Sequence, residues 1–257
     1  MKQKTLIMLT CILFAALSVS IIGQNSEPQN QEAIKLFNEG NSLLNAGNYN
    51  GAIENYQKAL NIEKHYKIYY QIGLAYKKAG KLEDSKNSFT ECLKLKSDFV
   101  NAYNGLGGTF FSIGDYSNAV SNFEKGLSLT KDASTQKKFK KNISLAYGKL
   151  GEKEISNANP TKAIEYLTKA IENDNSDAAY LKLAQLYAEL GEWDKSISAS
   201  ESAIKFKSKI TSGGPYFYMG LSYKGKGDTS KAKEMFEKAK SDATYKKNAE
   251  YELSLLN

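Results

Sequence analysis

The feature that most constrains the fold of this chain is a fourteen-residue phrase that returns along its length. It reads GNYNGAIENYQKAL from Gly47, GDYSNAVSNFEKGL from Gly114 and GEWDKSISASESAI from Gly191. A small residue also recurs along the chain, at Gly40, Gly73, Gly107, Gly151, Ala184 and Gly220. The steps between these positions are 33, 34, 44, 33 and 36 residues. Self-similarity at a period of about 34 residues is typical of a repeat protein, in which each unit buries one face against its neighbours.

Each unit has the spacing of two helices joined by a turn. A helix breaker follows the first small residue by seven positions, with alanine as the one exception, at Gly47, Gly80, Gly114, Ala158, Gly191 and Gly227. Glycine lets the chain leave a helix in a left-handed turn. The composition also favours helix, because 257 residues include only three prolines and 25% of them are charged.

The second half of each unit places small and large residues at fixed positions. Twelve residues after the first small residue stand Ala52, Ser85, Ala119, Ala163, Ser196 and Ala232. Sixteen after it stand Tyr56, Phe89, Phe123, Leu167, Ser200 and Phe236, of which only Ser200 is small. Nineteen after it stand Ala59, Cys92, Gly126, Ala170, Ala203 and Ala239. Two closely packed helices need small residues where their backbones approach and large ones to fill the remaining space.

This pattern resembles the tetratricopeptide repeat, a helical hairpin of 34 residues with a Leu-Gly…Tyr…Ala…Phe…Ala signature. IGLAYKKAG and MGLSYKGKG carry the first half of the signature, and AIENYQKAL and AIEYLTKAI carry the second. The resemblance covers residues 33–246. It implies an all-α fold, a right-handed α-solenoid of about six hairpins that start near residues 33, 66, 100, 144, 177 and 213. The family's usual proline at the unit ends is missing, while Pro160 and Pro215 suit the first turn of a helix.

The 44-residue step predicts one long helix from about Asp132 to Asn157. One face of it carries Phe139, Ile143, Ala146, Leu150 and Ile155 at helical spacing. The extra ten residues then extend the first helix of the fourth unit. The lysine run at 137, 138, 140 and 141 is interpreted either as a solvated helix face or as a patch for acidic lipid or nucleic acid.

The two ends of the chain differ in character. Tyr245, Ala249, Leu253 and Leu256 share a helical face, which predicts a helix that caps the last hairpin, with residues 247–257 as its C-terminal part. Two lysines and the apolar run 6–22 open the chain, which predicts a signal peptide at 1–23 followed by a polar linker at 24–32. We therefore expect export to the periplasm, the cell envelope or the outside. The alternative is an uncleaved membrane anchor formed by residues 6–22.

The residue inventory argues against an enzyme. Beyond Cys11 in the apolar run, Cys92 is the only thiol and His65 is the only imidazole. These are too few for a Cys/His zinc site, an internal disulfide or a Cys–His nucleophile pair. The sequence has no G-x-S-x-G motif and no Gly-rich phosphate loop after a strand. We expect no catalytic residue, cofactor or metal site, and we interpret Cys92 as a small buried residue where hairpins meet.

The basic charge does not by itself predict nucleic-acid binding. The formal net charge is +7, and all 35 basic residues are lysine. Arginine, whose planar guanidinium reads phosphate and guanine edges in bidentate fashion, is absent from the sequence. We therefore expect no nucleic-acid partner, and membrane contact only through an uncleaved N-terminal segment.

The resemblance implies a concave groove lined by the first helix of each unit, at its second, fifth, ninth and twelfth residues. Those places hold Phe37, Asn41, Leu44, Lys67, Tyr70, Leu74, Lys77, Asn101, Asn104, Phe111, Leu181, Gln185, Phe217, Leu221 and Lys224. Aromatic and amide side chains together suit an extended peptide, because rings bury its apolar groups and amides pair with its backbone. Packing between units is the other interpretation of each residue taken singly.

Some members of the family clamp the C-terminal carboxylate of a chaperone with lysine, asparagine and arginine from three consecutive units. The matching places here hold Phe37, Asn41, Gln71, Asn101 and Gly105, of which only Asn41 fits. The resemblance therefore does not imply that clamp.

Two hypotheses of function follow from the sequence. The first is an exported scaffold or adaptor that binds protein or peptide partners in the concave groove. The second is a structural subunit of a cell-envelope assembly that interacts through its ends or its convex face, which an exposed apolar patch outside the groove would favour. An enzyme is the third class, and it is disfavoured by the inventory above.

Overall fold

The structure, a computed structural model, describes residues 27–256, and the predicted signal peptide therefore lies outside the described residues. The described residues form thirteen α-helices and no strand. In chain order these helices are α1 Gln31–Asn45, α2 Tyr49–Ile62, α3 Tyr66–Lys78, α4 Leu82–Leu95, α5 Val100–Ile113, α6 Tyr116–Ser128, α7 Ala133–Ser156, α8 Pro160–Asn173, α9 Asp177–Glu189, α10 Trp193–Lys205, α11 Gly213–Gly225, α12 Thr229–Ala239 and α13 Lys246–Ser254.

The helices pack as hairpins in chain order. The most extensive contacts join α1 to α2, α3 to α4, α5 to α6, α7 to α8, α9 to α10 and α11 to α12. The second helix of each hairpin then contacts the first helix of the next, and α13 contacts α12. Each hairpin thus buries a face against its neighbours, and the predicted all-α solenoid is confirmed.

The turns between paired helices confirm the breaker series. The five glycines of the series, Gly47, Gly80, Gly114, Gly191 and Gly227, all have positive φ, between 73° and 89°. Ala158 takes the same place in the fourth hairpin and is the one non-glycine residue with positive φ in the described chain, at 54°. The turn geometry is therefore kept even where the residue is unfavourable for it, since a Cβ disfavours the left-handed region.

The small and the large residues of the series meet inside five of the six hairpins. A Cβ placed on Gly40 would lie 2.5 Å from the ring of Tyr56, and one on Gly73 would lie 2.8 Å from Phe89. The same approach recurs between Gly107 and Phe123, Gly151 and Leu167, and Gly220 and Phe236. Cys92 is fully buried, as predicted. Close backbone approach over a filled core is what the series predicted, and it is confirmed.

Helix α7 is 24 residues long and confirms the prediction from the 44-residue step. Its N-cap is Asp132, which accepts a hydrogen bond from the backbone N of Thr135 at 2.7 Å. Phe139, Ile143 and Ala146 of the predicted face are buried. The four lysines at 137, 138, 140 and 141 are exposed.

Helix α13 closes the array as predicted. Ala249 is fully buried against the last hairpin, and Tyr245, Leu253 and Leu256 pack against the same cluster. Among residues 27–256, no helix is long and apolar enough to span a membrane.

Candidate functional site

The face formed by the first helices, which the resemblance implies is concave, carries a first cavity of about 480 Å³, bounded by α1, α3, α5 and the loop before α5. Five of the predicted groove residues line it: Phe37, Asn41, Lys67, Tyr70 and Asn101. Glu27, Gln71 and Phe99 complete its wall. Positions predicted from three separate units therefore converge on one concave site.

An aromatic wall forms one side of this first cavity. Tyr70 lies edge-on to Phe99, with ring centroids 5.2 Å apart, and Tyr66 meets the same ring at 5.0 Å. The ring of Tyr70 also packs against Phe89, and this contact joins Tyr70 to the core of the second hairpin. Burial, and to a smaller extent the proximity of Cys92, raises the pKa of Tyr70, so its hydroxyl stays protonated at neutral pH.

Amide groups form the polar part of the first cavity. Asn41 Oδ1 accepts a hydrogen bond of 2.7 Å from the hydroxyl of Tyr56, which holds its side chain in place. Gln71 Oε1 is buried and has no hydrogen-bond partner among the described residues. Asn101 is exposed at the rim. Gln71 lines the cavity, and a buried acceptor without a donor costs free energy.

The segment before α1 closes one end of the first cavity. Glu63 accepts hydrogen bonds from the backbone N of Gln29 and Asn30, the shortest contacts being 2.8 Å. Glu27 then reaches Lys67 on α3 and forms an ion pair with it. The cation at this cavity is therefore neutralised by the chain itself.

A second cavity of about 260 Å³ lies further along the same face, between α3, α5, α6 and α7. The predicted groove residues Lys77, Asn104 and Phe111 line it together with Gly108, Ser112, Phe123, Asn142 and Leu145. Asn142 Nδ2 donates to Asn104 Oδ1 at 3.0 Å, which joins the third and fourth hairpins at this point.

The other predicted residues have packing contacts or partners in this chain. Leu44 is buried in the first hairpin and Leu74 packs on the cluster that contains Phe89. Phe37 lines the first cavity but is itself only 7% exposed. In the last hairpin Phe217 is buried, Leu221 packs beside it and Lys224 forms an ion pair of 2.6 Å with Glu252 of α13. In the fifth, Leu181 lies close to Gly214, and Gln185 donates to Glu189.

Among the lining residues that the predicted groove series did not include are Phe99, Asn142 and Leu145. Phe99 is the residue before α5 and therefore holds no first-helix position, although an aromatic residue directly ahead of a first helix is a signal that the sequence shows. Asn142 lies on the N-terminal extension of α7, ahead of the fourth unit, and Leu145 holds the second place of that unit, which the series left out. In the described part of the chain, no group of three or more His, Cys, Asp or Glu side chains could hold a metal ion.

Comparison with known proteins agrees with this architecture. Profiles described as tetratricopeptide repeat match residues 33–66, 66–99, 100–132, 149–215 and 216–243. The interval between the third and fourth of these matches, residues 133–148, lies within α7 and includes its N-terminal extension. The family is therefore matched over most of the chain.

Sequence relatives include heat shock protein STI1 of Saccharomyces cerevisiae, 32% identical over 38% of this chain and 17% of its own length. Small glutamine-rich tetratricopeptide repeat-containing protein 2 of Mycosarcoma maydis is 30% identical over 51% of this chain and 37% of its own length. The chain thus spans well under half the length of these relatives. Among solved structures, YrrB, titled a TPR protein with an unusual peptide-binding site, matches with a TM-score of 0.51 and 21% identity over 76% of this chain and 97% of its own. That likeness shows the fold alone.

Proposed function

This chain belongs to the tetratricopeptide repeat family, and we propose that it is an exported scaffold that binds an extended segment of a protein partner in the groove of its first three hairpins. The observation that carries the proposal is the first cavity, where an aromatic wall faces amide groups. The aromatic wall would bury apolar side chains of the segment, and the amides would pair with its backbone.

The unpaired oxygen of Gln71 is the feature that packing between repeats does not explain. A buried acceptor costs about 1–3 kcal/mol when it has no donor. A backbone N–H of a bound segment would satisfy it, whereas a residue that served only to pack units would be better apolar.

In the test, the full chain is used to pull down partners from the cell envelope of its own organism. The affinity of each variant for the recovered partner is then measured. Gln71→Leu replaces the amide with an apolar side chain and is expected to weaken binding about tenfold. Tyr70→Ala with Phe111→Ala removes one anchor from each cavity and is expected to weaken it about a hundredfold or more. Gln185→Leu, on the fifth hairpin, is the matched control and is expected to bind normally.

Circular dichroism establishes that each variant is folded. Full affinity in the folded Tyr70→Ala, Phe111→Ala double variant would place the partner elsewhere on the molecule and overturn the proposed groove.

Export is the second part of the proposal, and it is supported by the charge and hydropathy pattern of residues 1–23. The mature chain is expected to begin near Ile21 or Gln24 and to be found outside the cytoplasm. N-terminal sequencing from cell fractions checks this, and intact Met1 in a soluble cytoplasmic fraction would contradict it.

A structural subunit that associates through its end is the second candidate function. Tyr251 and Leu255 lie one turn apart on α13 and are 63% and 55% exposed, which leaves an apolar strip at the end of the array. Tyr251→Ser with Leu255→Ser is expected to abolish co-sedimentation with the envelope complex if this end is the contact, and to leave groove binding unchanged.

A further inference from the structure

Lys77 differs from the other cations on the concave face. Among the described residues that line the second cavity, Lys77 is the one charged side chain. Its Nζ lies against the backbone of Gly108, 2.5 Å from where a Cβ of that residue would stand. Within residues 27–256, no acidic side chain lies within ion-pair distance of it.

The two other lysines of the predicted groove have acidic partners, and so does Lys182 of α9. Lys67 is paired with Glu27, Lys182 lies 3.6 Å from Glu152, and Lys224 lies 2.6 Å from Glu252. Acidic side chains of the chain itself therefore neutralise the predicted groove lysines, except Lys77 in the second cavity.

Leaving a half-buried ammonium without a counter-ion has a cost. Burial lowers the pKa of Lys77 below its usual value, because the charged form loses water around it. A cation held in this way gains more from an incoming anion than a solvated surface lysine does, since the desolvation has already taken place.

The remaining groups of the second cavity fit a carboxylate on an apolar stem. The bond from Asn142 to Asn104 uses the oxygen of Asn104 and leaves its NH₂ group to donate to a ligand. Phe111, Phe123 and Leu145 supply apolar walls. The volume of about 260 Å³ is below the usual range for a whole drug-sized ligand, about 300–1,000 Å³, and suits one side chain of a longer segment.

We propose that the second cavity is a carboxylate subsite, in which Lys77 and the Asn104 amide bind one glutamate or aspartate side chain of the bound segment. The inference rests on the proposed groove function and adds its selectivity. These residues are not the places at which family members clamp a C-terminal carboxylate, so the site is an additional one. An acidic side chain in the partner would set its register, with apolar residues reaching the aromatic wall of the first cavity.

The experiment measures selectivity without needing the natural partner. The probes are two capped hexapeptide mixtures, one with a glutamate fixed at the third position and one with glutamine there, the other positions being randomised over uncharged residues. The full-length protein is expected to retain the glutamate mixture about tenfold more strongly than the glutamine mixture at low salt. Lys77→Met is expected to reduce this ratio to about one, whereas Lys182→Met, which removes a lysine that is paired with Glu152 and lines neither cavity, is expected to keep it.

A second measurement is independent of peptide. Removing an unpaired, desolvated cation should raise stability, so Lys77→Met is expected to raise Tm by about 2 °C or more, and Lys182→Met is not. Equal retention of the two mixtures by the wild-type protein would overturn the carboxylate subsite but leave the groove function standing. Loss of selectivity in Lys182→Met but not in Lys77→Met would overturn it as well. No retention of either mixture would overturn the groove function and the subsite together.

Discussion

An aromatic ring packs into the core of both the second and the fifth hairpin, but the ring comes from a different position of the repeat in each. In the second, Phe89 of α4 is fully buried, and Gly73 of α3 and Gly105 of α5 both leave room for its ring. In the fifth, the corresponding residues are Ala184, Ser200 and Tyr218. Ser200 is fully buried but small, and Tyr218 of α11 packs back against the core of the fifth hairpin.

The difference shows that the core of each hairpin is filled, but that the residue filling it need not stand at the same position of the repeat. Phe89 reaches forward from its own hairpin, whereas Tyr218 reaches backward from the next one. The cost of the exchange is visible in Ser200, whose buried Oγ has no hydrogen-bond partner among the described residues. The loop between α10 and α11 is also longer, and Asp177 ties it down through bonds from Ser208, Lys209 and Ile210.

The largest expected effect is at Phe89. Phe89→Ala leaves a cavity between two hairpins and is expected to lower the free energy of unfolding by about 3–5 kcal/mol. Tyr218→Ala is expected to cost less, because that ring is only half-buried. Urea unfolding of the two variants measures both losses, and an equal or larger loss at Tyr218 would contradict the comparison.

Ser200→Phe tests the comparison of the two hairpins further, because it places a ring in the fifth hairpin at the position that Phe89 holds in the second. Because Tyr218 already packs against that core, the extra ring is expected to destabilise the protein by about 1–3 kcal/mol through overpacking. Adding Tyr218→Ala should recover part of the loss, so the double variant should be more stable than the sum of the two single effects. Simple additivity in the urea measurements would show that the two side chains do not share the space.

A further prediction concerns Asp177, which holds the loop between α10 and α11. Burial alone would raise its pKa, but the backbone N–H groups of Lys209, Ser208, Ile210 and Ala178 outweigh that and hold the pKa at about 2. Since this is below the value of about 3.9 in an unfolded chain, the stabilisation is present above pH 4 and is lost as the pH falls from about 4 to 2.

Asp177→Asn is therefore expected to lose about 2 kcal/mol at pH 7 and less near pH 2. Thermal unfolding at several pH values measures the difference from the wild type. A loss of the same size at every pH would mean that the charge of Asp177 is not what secures the loop.

The smallest expected effect is a gain in the fourth hairpin. Ala158→Gly relieves a Cβ at φ 54° and is expected to raise the free energy of unfolding by about 1 kcal/mol. The matched control is Gly114→Ala, where φ is 89° and a Cβ would meet nothing within 4 Å, so that any loss reports backbone strain alone. Destabilisation by Ala158→Gly would show that the helix ends, not the turn, limit this hairpin.

The sequence by itself predicted the hairpins, the turns and the long helix α7. Those features depend on residues within one unit, such as Gly40 and Tyr56, whose spacing repeats and so can be recognised from a single chain. Eight predicted groove residues line the two cavities, and partner binding at these residues stays a prediction. The sequence marked Ala158 and Ser200 as exceptions without indicating how each would be accommodated.

Only the tertiary structure decided which side chains meet across units. Phe99 joins Tyr70 from a loop, Asn142 reaches Asn104 from a helix extension, and Tyr218 fills space in the preceding hairpin. It alone separated Lys67, which has an acidic partner 40 residues earlier in the chain, from Lys77, which has none among the described residues. The physical reason is that burial and charge pairing depend on neighbours from other units, and a periodic pattern records only the positions within its own unit.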